Sequence, residues 1–76
     1  MDENYALLRQ MLVNERSSAG LKQSDVSSAL NKPQSYISKI ERGERGMDLI
    51  EFVEIAEAVG FDPTDFLQRF ITSLKR

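Results

Sequence analysis

The sequence predicts an all-α fold, a bundle of five short helices in a single domain over residues 1–76. Three observations carry that expectation. Apolar residues recur three and four apart along most of the chain. Alternating, β-branched stretches of the kind strands need are absent. Helix stops and starts punctuate the rest: Gly20, Asn31, Gly43 and Gly60 as exits, Asp48 and Asp62-Pro63 as beginnings.

The first helix is expected from about Asn4 to Ser18, with Tyr5, Leu8, Met11 and Leu12 as its apolar stripe. The second runs from about Gln23 to Leu30, with Val26 and Leu30 four apart and facing inward. Asn31 follows, and asparagine tolerates the left-handed backbone of a tight exit. Pro33 suits a first helical position, where its missing N–H is not needed, so the third helix is expected over about 33–42. Asp48 caps a fourth helix that ends at Val59, with Leu49, Phe52, Val53, Ile55, Ala56 and Val59 at helical spacing. Asp62, Pro63 and Asp65 start the fifth helix, which carries Phe66, Leu67, Phe70, Ile71 and Leu74 and finishes on Lys75 and Arg76.

Composition excludes several functions. With no cysteine and no histidine, zinc sites with sulfur or nitrogen ligands and histidine acid–base chemistry are out, so neither metal nor cofactor is expected and an enzyme is not. No apolar run is long enough to span a bilayer and no signal-peptide pattern is visible, which fits a cytoplasmic protein without a membrane partner. The net charge is −2, but it is unevenly spread. Gly20 to Gly46 holds five cations and three anions, and the remainder five cations and nine anions. The cations therefore gather on helices two and three and the loop behind them, two short helices and a turn arranged as in a helix-turn-helix reader of duplex DNA.

The third helix can be read face by face. With Gln34 at zero and about 100° per residue, Ile37 falls at about 300° and Ile40 at about 240°. These two aliphatics mark the buried side, with Tyr36 on its border. Gln34, Ser35, Ser38 and Lys39 lie opposite, with no acid among them. Glutamine can pair with an adenine edge, lysine can donate to guanine, and serine can do either while letting the helix approach closely.

The block Gly20-Leu21-Lys22-Gln23, Val26, Leu30, Gln34-Ser35 and Ile37-Ser38-Lys39-Ile40-Glu41-Arg42-Gly43-Glu44-Arg45 resembles the Xre-type, lambda-repressor-like helix-turn-helix family. That family's usual pattern is G-L-T-Q-x-x-L-A-x-x-L-G-x-S-Q-x-x-I-S-x-I-E-x-G, and the likeness covers roughly residues 12 to 66. The resemblance implies a five-helix lambda-repressor-like bundle that binds double-stranded DNA as a small transcriptional regulator. The resemblance also implies a dimer on a pseudo-palindromic site, and repression is the expected consequence, since hardly any chain is left for an effector domain.

By position, the resemblance implies base reading by Gln34, Ser35, Ser38 and Lys39. It implies phosphate contacts from Gln23, Arg42 and Arg45, with Gln23 also bracing Gln34. Lys22, Lys32 and Tyr36 are further expected phosphate contacts, Lys22 because an ammonium at a helix N-terminus is unfavourable unless a phosphate lies close by. Arg16 and Glu41 match a structural salt bridge, and Phe66, Phe70, Ile71 and Leu74 a homodimer interface on the fifth helix. Two caps depart from the pattern: Lys22 and Pro33 stand where the family has a serine or threonine. Asn31 replaces the turn glycine, and Ser27 replaces a small alanine at the helix crossing. Two other functions fit the same residues: a DNA-binding antitoxin that also neutralises a protein toxin, and a pure protein-interaction module.

Overall fold

The computed structural model describes residues 3–75, and these form five helices. They are α1 (Glu3–Ser18), α2 (Gln23–Ala29), α3 (Ser35–Arg42), α4 (Leu49–Val59) and α5 (Pro63–Ser73). Helix α3 packs on α1 and α2, α4 closes behind α2, and α5 bridges α1 and α4.

Every helix contributes to one core: Leu12, Val26, Tyr36, Ile37, Ile40, Phe52, Ile55 and Phe66. The aromatic end of that core is a trio, with Phe66 5.1 Å from Phe61 and 5.2 Å from Phe52 between ring centroids. Not every residue on the expected apolar stripes reaches the core. Tyr5 is 61% exposed and Leu49 is 68% exposed, and each lies in the first turn of its helix.

The fifth helix requires a correction. Phe66 was expected on a dimer face, but it is wholly buried within the protomer. Its place one turn into α5 turns the ring inward onto α4. Phe70 and Leu74 are half-buried, while Ile71 is 54% exposed.

The caps of α4 and α5 come from local sequence. Asp48 accepts the Glu51 N–H at 2.7 Å and the Glu51 carboxylate accepts the Asp48 N–H at 3.0 Å, a reciprocal capping box. Asp62 accepts the N–H groups of Thr64 and Asp65.

The start of α3 differs from expectation and needs another partner. Pro33 is not its first residue: the helix begins at Ser35, after a turn in which the Tyr36 N–H reaches the Pro33 carbonyl at 2.9 Å. Gln34, at the N-cap, makes no side-chain cap. The cap comes from α2, where the fully buried Ser27 hydroxyl accepts the Ile37 N–H at 3.2 Å. A helix's first N–H groups have no partner in their own helix. Here one of them is satisfied across the helix crossing, and the same bond fixes α3 against α2.

Candidate nucleic-acid interface

The turn between α2 and α3 is set by Asn31, whose φ of 55° lies in the left-handed region. The Lys32 N–H returns to the Ser27 carbonyl at 2.9 Å and closes that turn. At the other end of α3, Glu41 forms a hub. Its carboxylate accepts Arg16 Nε at 2.7 Å, Arg16 Nη2 at 3.0 Å and Gln23 Nε2 at 2.8 Å. Arg16 Nη1 also donates to the Leu21 carbonyl at 2.9 Å. One carboxylate thus joins α1, the start of α2 and the end of α3. Its hydrogen bonds hold the Arg16 guanidinium above its ordinary pKa.

With α3 held at both ends, Gln34, Ser35 and Lys39 are exposed. Ser38 is half-buried and its hydroxyl donates to the Ser35 carbonyl at 3.0 Å, so it meets an outside group as an acceptor. An open groove of about 480 Å³ runs between the start of α2 and the exposed side of α3. Lys22, Gln23, Ser24, Gln34, Ser35, Ser38 and Arg42 line it, with no carboxylate among them. Ser24 was not singled out from the sequence. Its only signal is its place in the first turn of α2, beside Gln23.

The remaining residues expected at a phosphate backbone fare differently. Lys22 is exposed at the N-cap of α2, and Asp25 supplies half a cap by accepting the Lys22 N–H at 2.7 Å. Lys32 is exposed, with its ammonium 5.4 Å from the centre of the Tyr36 ring. Gln23 is half-buried and turned toward Glu41, and no bond between Gln23 and Gln34 is present. Arg42 is exposed and pairs with the equally exposed Glu44 at 2.7 Å, a contact weak enough to exchange for another anion.

Tyr36 is a correction. Only 6% exposed, it is a core residue whose hydroxyl is buried and makes no hydrogen bond, so it presents no donor to a phosphate. Arg45 stacks over the ring at 4.8 Å and reaches Glu51 with both ends of its fork, at 3.1 and 2.8 Å. Burial pushes the Tyr36 phenol up, and the Glu51 charge adds to it. Arg45 therefore fastens the loop after α3 to the start of α4.

This clasp makes stability depend on acid. Arg45 first, and then the Asp48 N–H, hold the Glu51 carboxyl at about 2. A depressed carboxyl pKa stabilises the fold fully above the ordinary value of about 4.3 and loses that contribution as pH falls through the folded value. The stability gap between the parent and Glu51→Gln should stay constant above about pH 5 and close between about pH 4.5 and 2. Urea unfolding of both proteins across that range measures it, and a gap that persists at the acid end rules the clasp out.

Among the described residues, no helix is long and apolar enough to cross a membrane. The comparisons with known proteins agree with this geometry. No curated protein matches the chain. An Xre-family-like protein from Pseudomonas syringae pv. tomato superposes with a TM-score of 0.91 at 34% identity, over 96% of this chain and 89% of that one. The restriction-modification controller protein C.AhdI from Aeromonas hydrophila gives 0.75 at 25% identity, over 84% and 97%. The clp gene regulator ClgR from C. glutamicum shares the fold, with a TM-score of 0.79 at 21% identity over 95% and 94%. Residues 13–66 match the helix-turn-helix family. With its paired helices, its buried hub and these likenesses, the chain belongs to the Xre-like helix-turn-helix family of DNA-binding proteins.

Proposed function

We propose that the chain acts as a single sequence-specific DNA-binding domain, a small cytoplasmic transcriptional regulator that represses by occupying its site. The observation that supports this most is the acid-free groove between α2 and α3, lined by Gln34, Ser35 and Ser38 with Lys22 and Arg42 beside them, while Lys39 is exposed further along α3. Gln34, Ser35 and Lys39 read base edges, with Ser38 contributing as an acceptor. Lys22, Lys32 and Arg42 hold phosphates, and Ser24 joins them at the start of α2. The similarity to a restriction-modification controller protein supports a regulatory role.

In this reading the protein is a homodimer on a pseudo-palindromic duplex, with half-sites about one helical turn, roughly 34 Å, apart. Ile71 is the exposed apolar residue of α5, and Phe70 and Leu74 flank it, half-buried.

Selection of binding sites from random duplexes, followed by a salt series on two variants, tests the division of labour. Gln34→Ala should cost about 1–3 kcal/mol on the selected site and relax the choice of base there. Arg42→Ala should weaken binding to all sequences alike and lower the salt slope by about one unit. Equal losses on selected and random duplex for both variants would sink the assignment. Arg42 serves better than Arg45 here, because removing Arg45 also opens the clasp on Glu51.

A further inference from the structure

A pocket of about 270 Å³ lies between α1 and the loop after α3, away from the groove of α2 and α3. Leu8, Leu12, Ile40 and Met47 give it an apolar wall, and Arg9 and Gly43 help to complete it. The Arg9 guanidinium rests against Gly43. A Cβ on that glycine would come within 3.0 Å of the guanidinium carbon, and the φ of 78° also favours glycine there.

Arg9 stands apart from the other described arginines. Arg16 is matched by Glu41, Arg42 by Glu44, Arg45 by Glu51, and Arg69 by Glu15 and Asp65. Arg9 is half-buried beside apolar side chains and has no carboxylate partner among the described residues. A cation so placed has lost part of its hydration without gaining a counter-charge. Its planar fork matches a carboxylate, and a carboxylate brought by a ligand would supply what the chain does not.

We propose that this pocket binds a small amphipathic carboxylate, with one aromatic ring or a short alkyl chain. The carboxylate lies on Arg9 and the apolar body among Leu8, Leu12, Ile40 and Met47. Ligand pockets commonly span about 300–1,000 Å³, so this one, just below that range, takes a single ring rather than a larger molecule. The inference goes beyond DNA recognition and does not depend on it.

The isotope-labelled 76-residue chain, titrated with benzoate, phenylacetate and hexanoate to about 10 mM, tests the proposal by nuclear magnetic resonance. Saturating shifts at Gly43, Gly46 and the Arg9 Nε–H are expected for at least one of the three acids. Neutral benzyl alcohol should bind at least about tenfold more weakly, since a charge-assisted bond is absent. Arg9→Gln should weaken the acid by about tenfold and leave the alcohol unchanged. The comparison of acid with alcohol on the parent chain decides even if Arg9→Gln folds poorly. The proposal is overturned if none of the three acids saturates, if alcohol and acid bind alike, or if Arg9→Gln binds the acid as the parent does. If no acid binds and Arg9→Gln lowers the salt slope on random duplex by about one unit, Arg9 is a phosphate contact instead.

Discussion

Replacing Phe66 with alanine is expected to cost about 3–5 kcal/mol of folding stability. The ring is fully buried and fills the space between Phe52 and Phe61, so truncation loses its transfer free energy and leaves a cavity. At about 0.05–0.15 kcal/mol per residue, 76 residues hold about 4–11 kcal/mol in all. The variant should therefore be at the edge of folding. Urea unfolding at two protein concentrations checks both the size of the loss and its origin. A core position predicts the same difference from the parent at each concentration. A difference that grows on dilution would point to a subunit contact instead. Ile71→Ser is the contrasting case. Its side chain is largely exposed, so it should change protomer stability by about 0.5 kcal/mol or less, and any dimer should dissociate more readily.

Phe66 also shows where a linear sequence stops being informative. Helical spacing put Phe66, Phe70, Ile71 and Leu74 around α5, but spacing alone cannot say which side meets α4. That depends on the turn at Gly60 and the approach of Phe61, both matters of tertiary packing. The helix ends were readable wherever the cap is local. Asp48 with Glu51, Asp62 with Thr64, and Gly43 after Arg42 all act within a few residues of themselves. The start of α3 was not readable, because its partner is ten residues away on another helix. Pro33 takes the position of a local cap, and Ser27 takes the position of an inert alanine. Read separately, these are two departures from the family pattern. In the fold, the Ser27 hydroxyl serves the start of α3, where the N-cap residue Gln34 makes no side-chain cap.

The site divides in the same way. The inward side of α3 followed from Ile37 and Ile40, and the outward residues Gln34, Ser35 and Lys39 are exposed. Tyr36 and Arg45 were harder to place because each is settled by α4. Glu51 completes the capping box of its own helix and also takes the Arg45 fork, which draws Arg45 over the Tyr36 ring. A run of cations after a helix looks alike on paper, yet Arg42 is held only by a solvated neighbour and Arg45 by a second helix.

Removing the Glu41 carboxylate is expected to be nearly as damaging as emptying the aromatic core. Glu41→Ala should cost about 3 kcal/mol, the low end for breaking a buried pair, because the Arg16 side chain keeps 15% of its exposure. Without Glu41, Arg16 retains only the Leu21 carbonyl and Gln23 loses its acceptor. Thermal unfolding of the single variant measures this loss. Replacing both charges, as Arg16→Met with Glu41→Leu, should restore most of the stability, since a buried ion pair and an apolar pair of similar volume are often close in free energy. The double variant then separates holding from positioning. The hub joins three helices through one carboxylate with defined hydrogen-bond directions, whereas methionine and leucine fill the space without fixing an angle. If the hub sets the angle of α3, the double variant should unfold like the parent but prefer the selected duplex over random duplex by a smaller factor. Selectivity that returns in full with stability would reduce the hub to a fastening and move the orientation of α3 to the Ser27 bond alone.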